Sequence, residues 1–386
     1  MYVKLRNCTI VEASSGQQSL VDIGISDGVV DSIGEVSDSR ADKTIEVGKR
    51  FVSPAWVDLH THVYELGTSL GVDADAIGMR SGVGVFVDAG SAGAGNFAGF
   101  REHVIKRAGV KIFSFLNIGY GGIPFFGIKG GSQASELSKI EVADPDACME
   151  CARLNKKYVV GIKVRLSAKA NGEFGSAPLK IAKKCAKALG LPVMLHIGNP
   201  PPPVDELVGL LERGDILTHS FRPFPNSILD TDGVGRVSKV LKAARRRGVL
   251  IDIGHGNGSF SYNTAEAALA DGFLPDTIST DIHALSLESP VHDLPCTMTK
   301  LLNLGMSAEQ VLLAVTHNPA AAIGRPDLGR IQKGKRADLV VSEVATTRTR
   351  LSDSTGEERT FSKVFRPLIR VRSSEVSRIP WRAPPP

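Results

Sequence analysis

Two histidines two residues apart, His60 and His62, stand at the end of a short apolar run at residues 51–57. Residues two apart in a strand point to the same side. Because imidazole is the commonest side-chain metal ligand near neutral pH, a strand-borne His-x-His aims two ligands at one point. A hydrogen-bonded pair of histidines in a core or on a surface gives the same pattern. The rest of the chain decides between a metal site and such a pair.

The middle of the chain alternates short apolar runs with helix-like stretches such as residues 179–189 and 237–247. The apolar runs lie at residues 51–57, 83–87, 111–116, 158–164, 192–196, 215–218, 249–253 and 277–280. This alternation predicts βαβ units and a parallel sheet. Eight units favour an α/β fold, a (β/α)8 TIM barrel at residues 53–324 with its site at the carboxyl ends of the strands. A doubly wound open sheet is the alternative.

Both ends of the chain have the character of β-strands. Residues 1–52 alternate apolar and polar positions around a turn signal, Asp27-Gly28. Residues 334–341 and 364–371 are also strand-like. We therefore expect one small β-sandwich domain formed by both termini, residues 1–52 and 325–380.

Composition narrows the class of partner. Hydrophobic residues make up 42% and charged residues 23% of the chain, as in ordinary globular proteins. No apolar run reaches the length of a membrane span, no secretory signal is evident, and the five cysteines lack regular spacing, so a cytoplasmic location is expected. The net charge of +5 is concentrated in a C-terminal tail whose arginines alternate with apolar residues, without a nucleic-acid-binding motif. We expect a small-molecule substrate, no nucleic acid and no membrane, and leave a homo-oligomer open.

Polar side chains stand at the ends of five of the apolar runs. They are His60 and His62 at the first run, Lys163 at the fourth, His196 at the fifth, His219 at the sixth and Asp281 at the eighth. A buried histidine or lysine needs a partner or loses its charge, so packing alone does not account for the series. The series predicts a metal centre, with a helix N-cap as the alternative role of Asp281.

This ordered set, together with residues 316–320 and 329–339, resembles the amidohydrolase superfamily in its binuclear metal class. The resemblance implies two divalent metal ions, with Zn²⁺ as the default expectation. It also implies that the amine of Lys163 carries a CO2-derived carbamate that bridges the ions. By the same resemblance, one ion is held by His60, His62 and Asp281, and the other by His196 and His219.

Residues 161–167, 252–256 and 293–300 resemble a subgroup that includes acetyl-(R)-mandelate esterases and proteins named deacetylase or, loosely, dihydroorotase. A true dihydroorotase is expected to carry an arginine two residues after the second histidine, where this chain has Tyr64. The expected function is hydrolysis of a small ester or amide, such as an O-acyl or N-acyl derivative of an α-hydroxy or α-amino acid. The alternatives are a hydantoinase-like or dihydroorotase-like cyclic amidohydrolase, and a non-catalytic scaffold.

The expected mechanism uses a hydroxide shared by two ions about 3.5–4 Å apart, which attacks the scissile carbonyl. Asp281 can take the hydroxide proton and pass it to the leaving atom. Arg165, two residues past Lys163, shares its side of the strand. Its charge beside the ions calls for an anion, which a substrate carboxylate would supply. Arg222 is the rival for that role.

Three further residues are candidates for the pocket. Tyr120 follows the third run and is expected to contact substrate. His255, in a glycine-rich loop after the seventh run, is expected to contact substrate as a catalytic oxyanion donor. His283 is a candidate support for the metal ligands. Each of these residues fits a loop-anchoring role about equally well.

Overall fold

Helices alternate with strands through the middle of the chain in a computed structural model, which describes residues 1–124, 136–137, 139–170, 172–230, 235–373 and 375–384. The strands, numbered in chain order, are β1 (Tyr2–Val11), β2 (Gln18–Ser26), β3 (Val29–Gly34), β4 (Lys43–Glu46), β5 (Phe51–Pro54), β6 (Trp56–Thr61), β7 (Val83–Gly93), β8 (Lys111–Asn117), β9 (Val159–Leu166), β10 (Val193–Ile197), β11 (Ile216–Thr218), β12 (Leu250–Ile251), β13 (Asp338–Ser352), β14 (Glu358–Arg372) and β15 (Glu375–Arg378). The α-helices are α1 (Ala74–Ser81), α2 (Phe97–Phe100), α3 (Pro145–Leu154), α4 (Ala177–Leu189), α5 (Val204–Gly209), α6 (Lys239–Arg247), α7 (Tyr262–Ala270), α8 (Leu294–Asn303), α9 (Ala308–Ala314) and α10 (His317–Ala322). A short π-helical turn lies at Arg101–Ile105, and short 3₁₀ turns lie at Asp38–Arg40, Ile140–Val142 and Gly172–Phe174.

Strands β6 to β12 form a parallel sheet in which each strand pairs with its neighbours in sequence. Every residue of β6 and β7 is buried, as expected for a parallel sheet covered on both faces. The connecting helices carry ordinary end signals. Helix α6, for example, begins after Ser238, whose hydroxyl accepts the Leu241 N–H, and ends at Gly248 in the left-handed conformation. The carboxyl ends of the strands therefore meet along one edge.

The eighth predicted strand, residues 277–280, is not a regular strand. Two single parallel bridges link this region to the ends of β12 and β6, Thr277 with Asp252 and Ile282 with Thr61. Between the bridges, the carboxylate of Asp58 accepts the backbone N–H of Thr280 at 2.9 Å. A side chain thus takes the place of a ladder partner at this position.

Both ends of the chain contribute to one mixed sheet, in the order β15-β14-β13-β5-β1-β2-β3, with β4 beside β1. Strand β13 is antiparallel to β5, so N-terminal and C-terminal strands are hydrogen-bonded neighbours. The prediction of one strand at residues 51–57 is wrong, because β5 belongs to this sheet and β6 to the parallel sheet. The chain changes partners at one step: Ala55 N–H bonds Asp338 O, whereas Trp56 N–H bonds Gly82 O.

The two sheets share a hydrophobic core. The rings of Trp56 in β6 and Phe365 in β14 meet edge to face at 6.0 Å, and helix α8 packs on β14. Strands β13 and β14 form a long hairpin whose turn reaches the segment after β12. Among the described helices, none combines the length and the apolar character that crossing a bilayer needs.

Candidate metal centre

The ligand atoms of His60, His62 and Asp281 lie within 4.8 Å of one another, and all three side chains are buried. His60 Nε2 is 3.3 Å and His62 Nε2 is 3.1 Å from Asp281 Oδ1. The histidines stand at the end of β6, and Asp281 donates its backbone N–H to His60 O at 2.7 Å. The structure therefore brings together three side chains predicted to hold one ion.

Two further imidazoles lie against this group. His196 is in β10 and His219 follows β11, the neighbouring strand of the parallel sheet. The ring centroids of His219 and His60 are 4.8 Å apart, and those of His196 and His219 are 4.2 Å apart. All four predicted histidine ligands thus belong to one cluster.

Lys163, in β9, reaches the same cluster. It is 2% exposed, and its Nζ lies 3.2 Å from His60 Nε2. Within the described residues, no carboxylate lies at ion-pairing distance from this amine. Burial lowers the pKa of Lys163 to about 8, against an opposing effect of Asp281. An uncharged amine, the form that reacts with CO2, is therefore accessible near neutral pH.

A buried carboxylate fixes the proton position on His60 through a hydroxyl group. Thr218 Oγ1 donates to Asp252 Oδ2 at 2.7 Å, so it can only accept from His60 Nδ1, which is also 2.7 Å away. The proton therefore sits on Nδ1, and Nε2 turns its lone pair toward Asp281. Metal-binding histidines are commonly oriented by such outer hydrogen bonds.

His62 is oriented in the same way. Its Nδ1 lies 2.8 Å from Ser91 Oγ, and the Ser91 hydroxyl in turn bonds to the buried carboxylate of Asp88. The proton is again on Nδ1, and Nε2 faces Asp281. Both histidines of the His-x-His pair are thus prepared to bind a metal ion through Nε2.

Unpaired acceptors inside the cluster show that these residues fit a metal ion. His219 donates its Nδ1–H to the carbonyl oxygen of Gly254 at 2.6 Å, so its Nε2 carries a lone pair. In the described part of the chain, this Nε2 and Asp281 Oδ1 are buried and have no hydrogen-bond partner. An unpaired buried polar atom costs about 1–3 kcal/mol. Bound divalent cations would satisfy both atoms.

The protonation states also suit a metal ion. Burial lowers the pKa of His219 to about 3 and holds the pKa values of His60 and His196 well below the usual range. Neutral imidazole is the metal-binding form. Burial alone would raise the pKa of Asp281, but close contact with His62 and the nearby His219 hold that pKa below its ordinary value. The carboxylate is therefore an anion.

Sequence analysis missed three supporting carboxylates, Asp58, Asp88 and Asp252. Each is buried and accepts a hydrogen bond from a hydroxyl group next to the cluster. Burial raises the pKa of all three, that of Asp58 to about 7. Asp88 directly follows an apolar run, the same signal that marks Asp281, whereas Asp252 lies inside the run at residues 249–253 and Asp58 lies two residues before His60.

Arg165 already has a partner for its charge. Its Nε donates to Glu136 Oε2 at 2.6 Å, and Glu136 Oε1 accepts from Asn117 Nδ2 at 2.6 Å. Glu136 therefore supplies the anion that the charge of Arg165 calls for, so a substrate carboxylate is not needed to neutralise it. The substrate contact of Arg165 stays a prediction.

Arg222 and His283 are both buried near the cluster. Arg222 forms no ion pair with any described residue and donates to Pro225 O at 2.9 Å. The His283 ring lies 6.2 Å, centroid to centroid, from His62, and its Nδ1 accepts the Leu285 N–H at 3.1 Å. The proton of a neutral His283 is therefore on Nε2, which makes this residue a hydrogen-bond donor beside the cluster.

Tyr120 and His255 are not brought into the ligand cluster. Tyr120 is half exposed, and its ring lies against Gly95. His255 is fully buried, and both of its ring nitrogens are engaged, Nδ1 with Gly256 O and Nε2 with Lys300 Nζ, each at 2.8 Å. The substrate contacts expected of these two residues stay predictions.

Replacing Thr218 with valine removes the hydroxyl between Asp252 and His60 at nearly constant volume. We expect the metal dissociation constant, measured by chelator competition, to rise about 10–100-fold, as is usual when a ligand loses such support. Thr61→Val is the matched control, because the buried Thr61 hydroxyl bonds the backbone carbonyl of Val87 at 3.0 Å. Equal metal affinity in the two variants would show that the hydroxyl has no such role.

Both the sequence and the fold are similar to known proteins. The amidohydrolase family model matches residues 223–366. The chain is 38% identical to a deacetylase from Brucella anthropi, over 90% of this chain and 85% of that protein. It is also 38% identical to a deacetylase from Agrobacterium fabrum, over 93% and 87% of the two chains. A crystal structure of a dihydroorotase has a TM-score of 0.88 at 38% identity, covering 98% of this chain and 97% of that chain. A crystal structure of an adenine deaminase has a TM-score of 0.88 at 31% identity, covering 97% and 99%.

Proposed function

This chain belongs to the amidohydrolase family and is a metal-dependent hydrolase, and we propose that it removes a small acyl group, acetyl above all, from an ester or amide. The names of its deacetylase relatives support this substrate class. The observation that carries the proposal is the pair of buried, unpartnered acceptors, His219 Nε2 and Asp281 Oδ1, within one cluster of ligand side chains.

We assign two divalent ions to the cluster, with Zn²⁺ as the metal because neutral imidazole and carboxylate suit it. The proposed ligands are His60, His62 and Asp281 for one ion, and His196 and His219 for the other. A carbamate on Lys163 would supply anionic oxygen ligands to these ions. It forms when the uncharged amine attacks the carbon of CO2 and releases a proton. The burial of Lys163 with no carboxylate partner among the described residues supports this modification, because a carbamate is an anionic ligand and an ammonium is not.

When bound, the ions polarise the scissile carbonyl and activate a water molecule. Asp281 acts as the base, because it is anionic, and its Oδ1 lies inside the cluster. It takes a proton from the water and donates it to the leaving oxygen or nitrogen. Asp58 holds the preceding residue, Thr280, through both its backbone N–H and its hydroxyl, and so keeps Asp281 in place.

The proposed scaffold is a closed (β/α)8 barrel over residues 55–324, beside a β-sandwich domain of residues 1–54 and 325–380. The single bridges from residues 277–282 to the ends of β12 and β6 support closure of the barrel. Pairing of β5 with β13 supports one terminal domain, with its first boundary moved to Pro54, where β5 ends. The carboxyl ends of the barrel strands then carry the site.

Hydrolysis of a cyclic amide is the second candidate, because the dihydroorotase structure is 38% identical to this chain. Tyr64 argues against dihydroorotate itself. Its ring stacks on Phe100 at 4.6 Å, and its hydroxyl lies 3.4 Å from Asn96 O. In the described structure, a tyrosine and not a cation therefore occupies the position at which a dihydroorotase is expected to hold the carboxylate of its substrate.

Release of acetate from O-acetyl and N-acetyl α-hydroxy and α-amino acids, in both enantiomers, tests the proposal against dihydroorotate and hydantoin. For the best acyl acid we expect kcat/KM of at least about 10⁴ M⁻¹ s⁻¹, the lower end for enzymes on good substrates. A higher kcat/KM for dihydroorotate or hydantoin than for any acyl acid would favour hydrolysis of a cyclic amide over removal of an acyl group. No hydrolysis of either class by metal-loaded protein would contradict both.

We further propose that the substrate carries a carboxylate near its acyl group. Burial and His219 lower the pKa of His196, and the charges of Arg165 and Arg222 add to this effect. Glu136 pairs with Arg165, and no described acid pairs with Arg222, so one positive charge is left near His196. This excess favours an anionic substrate.

Comparing an acyl acid with its neutral methyl ester tests this charge preference. We expect wild type to prefer the acid by about 10–100-fold, the value of one charged hydrogen bond. Arg165→Ala should lose most of that preference, because it leaves Glu136 as an unpaired negative charge that offsets Arg222. Arg101→Ala is the control, because Arg101 is a partly buried arginine that bonds to Glu102 and Asn155 instead. An unchanged preference in Arg165→Ala would remove Arg165 from the pocket and make Arg222 the next residue to test.

A further inference from the structure

A fully buried lysine, Lys300 on α8, has no carboxylate at ion-pairing distance in the described part of the chain. Its Nζ lies 2.7 Å from Pro290 O, 2.8 Å from Ser352 O and 2.8 Å from His255 Nε2. The two carbonyl oxygens can only accept, so the ammonium donates a hydrogen to each of them. Its third hydrogen is left for His255.

His255 receives that hydrogen in one defined tautomer. Its Nδ1 lies 2.8 Å from Gly256 O, which can only accept, so Nδ1 carries the proton and Nε2 the lone pair. The ring also stacks on Phe260, at 4.6 Å between centroids and 21° between planes. Lys300 thus fixes the orientation of His255, and His255 in turn holds the carbonyl group of Gly256.

Residues 254–256, the glycine loop, touch two proposed metal ligands. Gly254 O accepts the Nδ1–H of His219 at 2.6 Å, and a side chain at Gly256 would come within 2.3 Å of Asp281 Oδ2. Both ligands adopt backbone conformations that side-chain-bearing residues rarely adopt, with φ of 62° at His219 and 49° at Asp281. Such conformations persist only where their surroundings hold them.

Residues 352–357 comprise the last residue of β13 and the turn that leads to β14, and we call them the hairpin tip. The hairpin tip contacts the glycine loop from the C-terminal part of the chain. Ser354 Oγ donates to Gly256 O at 3.0 Å, and Ser354 N–H donates to Phe260 O at 2.9 Å. Lys300 joins the same turn through Ser352 O. The hairpin tip, Lys300 and His255 therefore form one hydrogen-bonded support that itself contains no proposed metal ligand.

We propose that Lys300 is a positioning residue. Through His255 and the hairpin tip it holds the glycine loop against His219 and Asp281, and it thereby sets the affinity of the site for its metal ions. This inference rests on the proposed function, because it concerns the ligands assigned there.

The test is Lys300→Met in the full-length protein. We expect the Zn²⁺ dissociation constant, measured by chelator competition, to rise about 10–100-fold and the visible spectrum of Co²⁺-loaded protein to shift. We also expect kcat to fall more than KM changes, because Lys300 itself is fully buried and lies behind His255. Lys4→Met is the matched control, because Lys4 is also buried but pairs with Asp22 and bonds Val36 O in the terminal sheet. It should lower stability and leave Zn²⁺ affinity unchanged.

Ser354→Ala decides the matter if Lys300→Met does not fold, because it removes only the hydroxyl that joins the hairpin tip to Gly256. We expect a two- to tenfold rise in the Zn²⁺ dissociation constant, about the value of one hydrogen bond. The inference would be overturned if folded Lys300→Met kept the Zn²⁺ affinity and the Co²⁺ spectrum of the wild type. If Lys300→Met does not fold, the same result in Ser354→Ala would overturn it. Failure of the wild type to bind Zn²⁺ would overturn the proposed function instead, so the two failures are distinguishable.

Discussion

Asp281→Asn should lower kcat by at least about 10²–10⁴-fold, the usual contribution of a general acid–base group, with a much smaller change in KM. The amide cannot take a proton from the attacking water. It also removes the anionic oxygen that lies 3.1 Å from His62 and 3.3 Å from His60. Steady-state kinetics on the best acyl substrate, with metal content measured in the same sample, gives the result.

Asp215→Asn is the matched control for this substitution. Asp215 is also buried, but it stands at the amino end of β11, where it accepts the Val193 N–H at 2.9 Å and pairs with Lys183. We expect this variant to lose stability and to keep the kcat of the folded enzyme. If Asp281→Asn, loaded with metal, kept a kcat close to wild type, Asp281 would not be the base.

Lys163→Ala and Lys163→Arg should each lower kcat/KM by about 10³-fold or more, because several kcal/mol of charge stabilisation depends on the second ion. Neither side chain can carry a carbamate, although arginine has the positive charge of an unmodified lysine. The alanine variant leaves a space beside His60, where Nζ now lies 3.2 Å from the ring nitrogen. A short carboxylate such as propionate can enter that space and supply two anionic oxygens.

The two Lys163 variants should therefore differ in their response to added propionate. We expect activity to return in part to Lys163→Ala and not to Lys163→Arg, whose side chain fills the space. Metal analysis of both variants should show fewer ions per chain than in wild type. Full activity in either variant without any additive would mean that the lysine bridges nothing.

The positions of the candidate ligands can be predicted from sequence because each one ends an apolar run. Parallel strands bring such ends to one edge, so the sequence alone predicts that His60, Lys163 and His196 lie together. The partners of the ligands cannot be predicted in this way. Thr218 and Asp252 are 34 residues apart, and their hydrogen bond depends on the register of two strands.

Errors in the sequence predictions have the same physical origin. The run at residues 51–57 is apolar apart from Ser53, and the hydrogen-bond partners at Ala55 and Trp56 reveal two strands. The ion pair of Arg165 with Glu136 is not predicted from the sequence, because Glu136 lies 29 residues earlier in the chain and no local pattern connects the two. The periodicity of the sequence therefore does not determine which residues pair over long distances in the chain, either through the backbone or through side chains.

Metal stoichiometry is the most direct test of a binuclear hydrolytic site. Elemental analysis should be made on purified wild type and on a metal-depleted sample that is reloaded stepwise, with acetate release measured at each step. We predict two divalent ions per chain at full activity, and activity that rises with metal content. The mass of the wild type should exceed the mass calculated from its sequence by one CO2 unit, and this excess should be absent from Lys163→Ala. Full activity in protein that holds no metal would contradict the proposed site and the function drawn from it.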